Sequence, residues 1–342
     1  MGGRKRLHGV FAVLALYSLI GCSYFPGDKK APSAQAVQAQ GGAFEVTVSQ
    51  TLPDETQMPQ AQAALEKQAV TQLQKHFLEE VIQAEQERLQ AHLSLYEKRL
   101  LGKMAWRADA IPPIELPTFM AKVTYKEDTL KVTKEVDRAA LAKILAERIA
   151  KIDQVLLAYR FVPDSQPRLV QIQYLLPAYP LLLERQLYER VLQRLPMDYD
   201  RRVQDIYATT LLGKLQTLMR KFTIEVRANL SKDATVETGL RTLLAEQGLN
   251  LQGMPDVFVL YDAQRQVTAF NGGVEVTVQG RISLADANEV PFAQFNYHVR
   301  KQGTTAQTAE TKAIRAITEK TLHHLDNLLL KRFYILQGVY QK

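Results

Sequence analysis

Val274-Glu275-Val276-Thr277-Val278-Gln279-Gly280-Arg281-Ile282-Ser283-Leu284 alternates apolar and polar side chains with Val274, Val276, Val278, Ile282 and Leu284 on one parity. After the turn residues Asp286-Ala287-Asn288, the same parity returns at Ala293, Phe295, Tyr297 and Val299. Strand side chains alternate between faces, so this is the pattern of two long paired strands with one buried face. Outward from this pair, Val257 to Leu260 reads as a short apolar strand and Phe222, Ile224 and Val226 as another. Between them, Thr235 to Gln247 has helical periodicity and stops at Gly248, a residue that accepts the left-handed cap conformation. Ala306, Ala309, Ala313, Ile317, Leu325 and Leu328 define a closing helix, so residues 221–333 form a β-α-β-β-β-α unit. The apolar tail, residues 334–342, continues the run Phe333, Tyr334, Ile335 and Leu336 towards Val339 and Tyr340. It reads as a last strand or core plug, or as a surface for a partner, with Phe333 and Tyr334 as candidate contacts.

A second mixed unit precedes it, spanning residues 43–158. Phe44, Val46 and Val48 alternate like a strand that ends at Pro53-Asp54. A long helix follows through Leu65, Ala69, Leu73, Phe77, Val81 and Ala84, and a second, drifting stripe runs from Ile82 through Leu89 and Leu93 to Leu101. Unbroken, it would extend about 60 Å at 1.5 Å per residue, so a break is expected in its charged middle. Such a helix suits either a core position across a sheet or a partner-binding coiled coil. Pro112, Pro113 and Pro117 end it, and the loop carries the only tryptophan, Trp106, which either pins the loop to the core or contacts a partner. Phe119 to Tyr125 and Leu130 to Val136 form a hairpin across Lys126-Glu127-Asp128, and Asp137 caps a helix through Leu141, Leu145, Ile149 and Leu156.

Residues 159–220 join the two units. Val170, Ile172, Tyr174 and Leu176 alternate like a strand, yet Leu183, Leu187, Val191 and Leu195 are helical, and the reading adopted is helix with Pro177 and Pro180 as a kink. Asp198 or Asp200 would cap a further helix from Val203 to Leu218, completing a helical hairpin. The fold class is therefore α+β: two small mixed domains joined by a helical hairpin.

The chain starts with Arg4, Lys5 and Arg6 ahead of a largely apolar run from Val10 to Ile20, which is signal-peptide anatomy and too short for a spanning helix. The quartet Leu19-Ile20-Gly21-Cys22 follows, and Cys22 is the only cysteine. This quartet resembles the lipobox of bacterial lipoproteins. The resemblance implies cleavage between Gly21 and Cys22, lipidation of the Cys22 thiol and acylation of the new amino group. Three acyl chains, at roughly 0.8 kcal/mol per buried CH₂, would hold the chain far more firmly than a single one. Ser23, in place of an aspartate, implies sorting to the outer membrane, on the periplasmic face or on the cell surface. Residues 22–42 have too little hydrophobicity to order themselves and read as a flexible tether, whose r.m.s. span as a twenty-residue coil would be about 25 Å.

Two further resemblances concern the units themselves. Gln62-Ala63-Ala64-Leu65-Glu66-Lys67-Gln68-Ala69, with Val132-Thr133-Lys134-Glu135-Val136-Asp137-Arg138, resembles the small α+β domain of LPP-type outer-membrane lipoproteins over residues 44–157. The element order of residues 221–333 resembles the amino-terminal domain of the Tol translocation protein. The first implies assembly or surface roles and brings no catalytic residues, and the second rests on element order alone.

Composition narrows the function further. Without residues 1–21 the chain keeps 40 Lys and Arg against 36 acidic residues, a net charge of +4 spread along its length. That dispersal gives no reason to expect nucleic acid, whose binders gather cations on one face. With Cys22 lipidated no thiol remains for a disulfide or a metal. Gly and Pro together are 31 of 342 residues, below the average of about 12%, which favours long regular elements.

Little in the sequence promises chemistry. His323 and His324 are helix neighbours about 100° apart and cannot share one ion, so they read as a solvated pair. His298 falls on the outer parity of its strand, and His76 and His92 read as surface residues of the long helix without carboxylates in a ligand register. Gly272-Gly273 after Asn271 is a turn, and no phosphate-cradling loop or nucleophile elbow occurs. Glu225 with Glu275, or Asp256 with Asp262, would be the only candidate acid/base pairs. The expectation is a protein that is not an enzyme, uses no cofactor or metal, sits on the outer membrane through its lipid and binds other envelope proteins, with oligomerisation open. A cell-wall or polysaccharide hydrolase and a scaffold subunit of an envelope or secretion complex are the alternatives.

Overall fold

The computed structural model describes residues 38–52, 55–104, 114–160, 164–195 and 206–338. Four strands make the first sheet: β1 (Gln38–Gly42), β2 (Glu45–Thr51), β3 (Thr118–Lys126) and β4 (Thr129–Val136), antiparallel in the order β1-β2-β4-β3. Val46, Val48, Leu130 and Val132 are fully buried on one face, while Thr47 and Thr133 hydrogen-bond on the other at 2.8 Å. Glu127 and Asp128 both have positive φ, as a two-residue hairpin turn between twisted strands requires.

β1 departs from the expected tether. Gln38 to Gly42 is an edge strand on β2, paired in register from Gln38↔Ser49 to Gly42↔Glu45. Its side chains are almost all exposed, so it is held by backbone pairing and leaves no hydrophobic signal in the sequence. Phe44 belongs to the turn after β1, with its ring edge-on to Phe77 at 6.1 Å and the Arg138 guanidinium 5.2 Å above it.

The long helix breaks twice. α1 (Met58–His76) runs into a π-helical turn, Phe77–Gln83, then α2 (Ala84–Ala91), and a new helix α3 (Leu95–Lys103) starts after His92 and Leu93. A π turn inserts extra backbone, which rotates the apolar stripe and accounts for its drift after Val81. Ser94 caps α3 in a reciprocal box: the Glu97 N–H donates to Ser94 Oγ at 3.2 Å and the Ser94 N–H donates to Glu97 Oε2 at 2.8 Å. Ser94→Ala should lower stability by about 1 kcal/mol in urea unfolding, with no change in slope. α4 (Arg138–Leu156) is capped by Asp137, which accepts from the Ala140 N–H at 2.9 Å.

The middle is helical. α5 (Arg168–Leu175), a 3₁₀ turn Leu176–Ala178 and α6 (Tyr179–Arg194) follow one another, so residues 168–177 are helix rather than strand. Pro177 and Pro180 sit in first-turn positions, where a missing N–H costs no bond. α7 (Ile206–Lys221) completes this layer, and Asp198 and Asp200 lie outside the described residues.

The second sheet has the order β5-β6-β7-β8, formed by β5 (Ile224–Ala228), β6 (Val257–Phe270), β7 (Gly273–Asp286) and β8 (Pro291–Gly303). β5 is parallel to β6 across α8 (Ala234–Glu246), and the other pairs are antiparallel. β6 is much longer than its apolar start at 257–260. Beyond Ala263 its side chains are exposed, so pairing with β7 rather than burial sustains it. α9 (Ala306–Leu329) and α10 (Lys331–Leu336) close the chain. Buried side chains from both sheets and the helical layer join into one connected core.

Candidate functional site

α10 shows how the apolar tail is used. It is a short helix, not a last strand, and it packs on α5, α9 and the 3₁₀ turn at 176–178. Phe333 and Tyr334 turn inward and are partly buried against the core, their rings 5.8 Å apart. The exposed apolar side chains are the next two, Ile335 at 54% and Leu336 at 59% exposure. The Arg332 guanidinium lies 3.7 Å from the Tyr174 ring centre, and Tyr174 meets Tyr159 edge-on at 6.0 Å while its hydroxyl donates to the Ala158 carbonyl at 3.0 Å. Val170, one helical turn before Tyr174, and Leu157 are also exposed. The candidate contact surface is therefore Ile335, Leu336 and these neighbours, with Phe333 and Tyr334 as its footing. Gly21, Cys22 and Trp106, together with Val339 and Tyr340, lie outside the described residues.

Charged side chains fasten this region in place. Asp326 on α9 is fully buried and accepts from Arg99 Nε at 2.9 Å, with Lys103 Nζ at 3.3 Å, which ties α3 to α9. Tyr96 lies buried beside it, its hydroxyl pushed well above the ordinary range by burial and then by the Asp326 charge. From the same helix, Glu97 Oε1 accepts from the Tyr179 hydroxyl at 2.7 Å and so reaches α6. Burial, followed by the Glu97 charge, likewise keeps Tyr179 protonated far above neutral pH. Arg185 on α6, 2% exposed, engages both carboxylate oxygens of Asp153 on α4 and also Glu189.

The carboxylate pairs singled out in the sequence are kept apart. Glu225 is level with Phe258 and Ala285, whereas Glu275 lies ten residues further along β7, a separation of roughly 30 Å at 3.4 Å per residue. Asp256 and Asp262 are six residues apart along one extended segment, about 20 Å. Asp256 is held by Arg168 at 2.6 Å and by the Thr223 N–H at 2.9 Å. Asp262 accepts from the Leu230 and Ser231 N–H groups and from Asn229. Burial opposes its ionisation, but these donors with Arg281 outweigh that and hold the carboxyl below its ordinary value.

A groove of about 640 Å³ between α8 and α9 carries Glu246 and Glu310 on its rim. Arg265 bridges Glu310 to Asp233 at the start of α8, and Glu246 is thirteen residues further along that helix, roughly 20 Å away at 1.5 Å per residue. Glycosidase carboxylates stand about 5–9.5 Å apart, so this groove does not supply such a pair.

The histidines are placed differently from expectation at two points. His76 Nδ1 lies 3.0 Å from Glu80 Oε1, an i,i+4 contact available from the spacing. His324 is half-buried rather than fully solvated: its ring stacks on Phe295 at 4.4 Å, and Lys320 Nζ lies 4.9 Å from the Phe295 ring. His323 is exposed, with Nε2 3.1 Å from Asn327 Nδ2, and His298 is exposed as its parity required. Burial, then His323 and Lys320, lower the His324 pKa below its ordinary value. Stability from a neutral stacked ring is present above the unfolded-state pKa of about 6.5 and is lost as pH falls through the folded value. The unfolding midpoint should therefore drop on acidification below neutrality, and His324→Phe should flatten that acid-side loss.

No group of three or more metal-ligating side chains occurs among the described residues, and no helix there is long and apolar enough to cross a membrane. No family model and no curated protein matches the chain. Among solved structures it is similar to a minor lipoprotein from Acinetobacter baumannii, at 12% identity and a TM-score of 0.24, covering 32% of this chain and 92% of that one. It is also similar to the secreted protein HP1454 from Helicobacter pylori, at 10% identity and a TM-score of 0.35, covering 84% of this chain and 97% of that one. Superpositions this loose define neither a shared fold nor a shared role.

Proposed function

We propose that the chain is a lipid-anchored, non-catalytic protein of the bacterial envelope that serves as an interaction or assembly module for other envelope proteins. The observation that carries this reading is the quartet Leu19-Ile20-Gly21-Cys22 behind a basic and apolar leader. An acylated Cys22 holds the body at a membrane without a spanning helix, and Ser23 favours the outer membrane. Labelled palmitate should be incorporated into the wild-type chain and not into Cys22→Ala, and the protein should fractionate with outer membranes. Incorporation that persists in Cys22→Ala would remove the foundation of the proposal.

The absence of catalysis is part of the same proposal. The dispersal of the carboxylates supports it, with Asp256, Asp262, Glu275 and Glu310 each engaged by a guanidinium or by backbone donors. A hydrolase would need a facing pair, and Glu246 with Glu310 does not make one. The exposed pair Ile335 and Leu336 favours a partner contact on α10, in keeping with a subunit of a larger assembly. A photo-crosslinker placed at Leu336 in intact cells should capture a discrete envelope protein or a second copy of the chain. The same group at Lys122, on the open face of the first sheet, should capture neither.

A further inference from the structure

At the seam between α2 and α6 three guanidiniums gather around one buried carboxylate. Glu85 is 3% exposed, and three guanidiniums converge on it: Arg88 Nη1 at 2.7 Å from Oε1, Arg194 on the same oxygen, and Arg190 Nη1 at 3.6 Å from Oε2. One carboxylate against three guanidiniums leaves an excess of two charges. Among the other acids of these elements, Glu80 meets His76, Glu189 meets Arg185 and Glu184 accepts from the Tyr188 hydroxyl, while Glu79 and Glu87 are exposed.

Donors are in surplus as well. Arg194 gives one N–H to the Glu80 carbonyl at 3.2 Å, inside the π-helical turn, and Arg88 gives one to Glu85. Arg190 makes no hydrogen bond within the described residues and has only the 3.6 Å ion pair, although its side chain is only 28% exposed. No Arg190 nitrogen is both buried and without a partner, so the donors of its planar fork that Glu85 does not take reach solvent and are open to a ligand. Arg190 and Arg194 are one turn apart on the same face of α6, opposite Arg88, so their forks border one spot.

We propose that this seam binds a phosphate-type oxyanion. Arg190 and Arg88 donate to its oxygens, Arg194 adds charge while bracing the π turn, and buried Glu85 orients the guanidiniums. Planar forks of this kind fit the oxygens of a phosphate better than a point charge does. The group is either a soluble phosphate ester or the headgroup of an anionic lipid. The inference does not depend on lipidation of Cys22.

The full chain carrying Cys22→Ala, in which no acyl group contributes, is titrated calorimetrically with inorganic phosphate and pyrophosphate. In parallel it is floated with vesicles of phosphatidylcholine alone or of equimolar phosphatidylcholine and phosphatidylglycerol. Binding of the soluble anions, or retention on the anionic vesicles only, is expected, and the arm that responds identifies the source. Arg190→Gln should weaken it about tenfold, the loss of one charge-assisted contact, with an unchanged unfolding midpoint. Arg88→Gln serves as an independent second variant, and Lys122→Gln, which removes one exposed charge far from the seam, should have no effect. Failure of both probes to bind the wild type would reduce the seam to a structural ion cluster and overturn the proposal. Binding undiminished in both arginine variants, or weakened equally by Lys122→Gln, would overturn it too.

Discussion

Arg185→Ala is expected to lower the unfolding free energy by about 3–5 kcal/mol, the range for removing one partner from a buried ion pair. Arg185 is almost fully covered and donates from Nη2 to Asp153 Oδ2 at 3.2 Å, besides its contacts to Asp153 Oδ1 and Glu189. Alanine leaves two carboxylates facing each other across α4 and α6 with no cation between them. Their own partial exposure, 23% for Asp153 and 22% for Glu189, lets water relieve some of that cost, which places the outcome nearer the lower figure. Replacing all three side chains by apolar ones of similar size should restore most of the loss, because the cost lies in the orphaned charges rather than in the pair. Urea unfolding of the single and triple variants reads both effects.

Asp326→Ala should have the second large effect, about 3 kcal/mol on the same reasoning. Its carboxylate is the buried end of the tie from α9 to Arg99 and Lys103 on α3, and alanine leaves two cations partly covered. Asp326→Asn keeps the shape and loses the charge, so it should fall between wild type and alanine. Because α3 also reaches α6 through Glu97 and Tyr179, loosening Asp326 should speed hydrogen exchange first in α3 and the end of α9. The consequence for function is positional: α10 follows directly on α9, so loosening that tie should also loosen the surface carrying Ile335 and Leu336.

Hydrophobic parity made much of this architecture legible. Val274 to Leu284 and Ala293 to Val299 lie on the buried face of β7 and β8 because a half-covered sheet imposes a period of two. Leu141 to Leu156 lies on one helix because it covers a core. The same signal fails wherever burial is not what holds the chain. β1 and the outer half of β6 are sustained by backbone pairing with exposed side chains, so Gln38-Ala39-Gln40 read as tether and the strand at Val257 to Leu260 reads as short. Phe333 to Leu336, four apolar residues in a row, has no period to distinguish strand from helix.

The charged side chains were least legible. Glu85, Glu97, Arg185 and Asp326 look like surface residues in a sequence, since such groups are buried only when partners from distant segments meet them. Two local signals were available: Ser94 with Glu97 has the spacing of a capping box, and His76 with Glu80 that of a helix pair. Nothing local marks Arg99 for Asp326, which lies more than two hundred positions away in the sequence.

The anchor is tested most directly by the intact mass and amino-terminal sequence of the protein purified from its own envelope. The expected result is a chain beginning at Cys22, blocked at its amino group and heavier than the polypeptide by a diacylglyceryl group and one further acyl chain. A chain that begins elsewhere, or that begins at Cys22 with a free amino group and an unmodified thiol, would contradict the account.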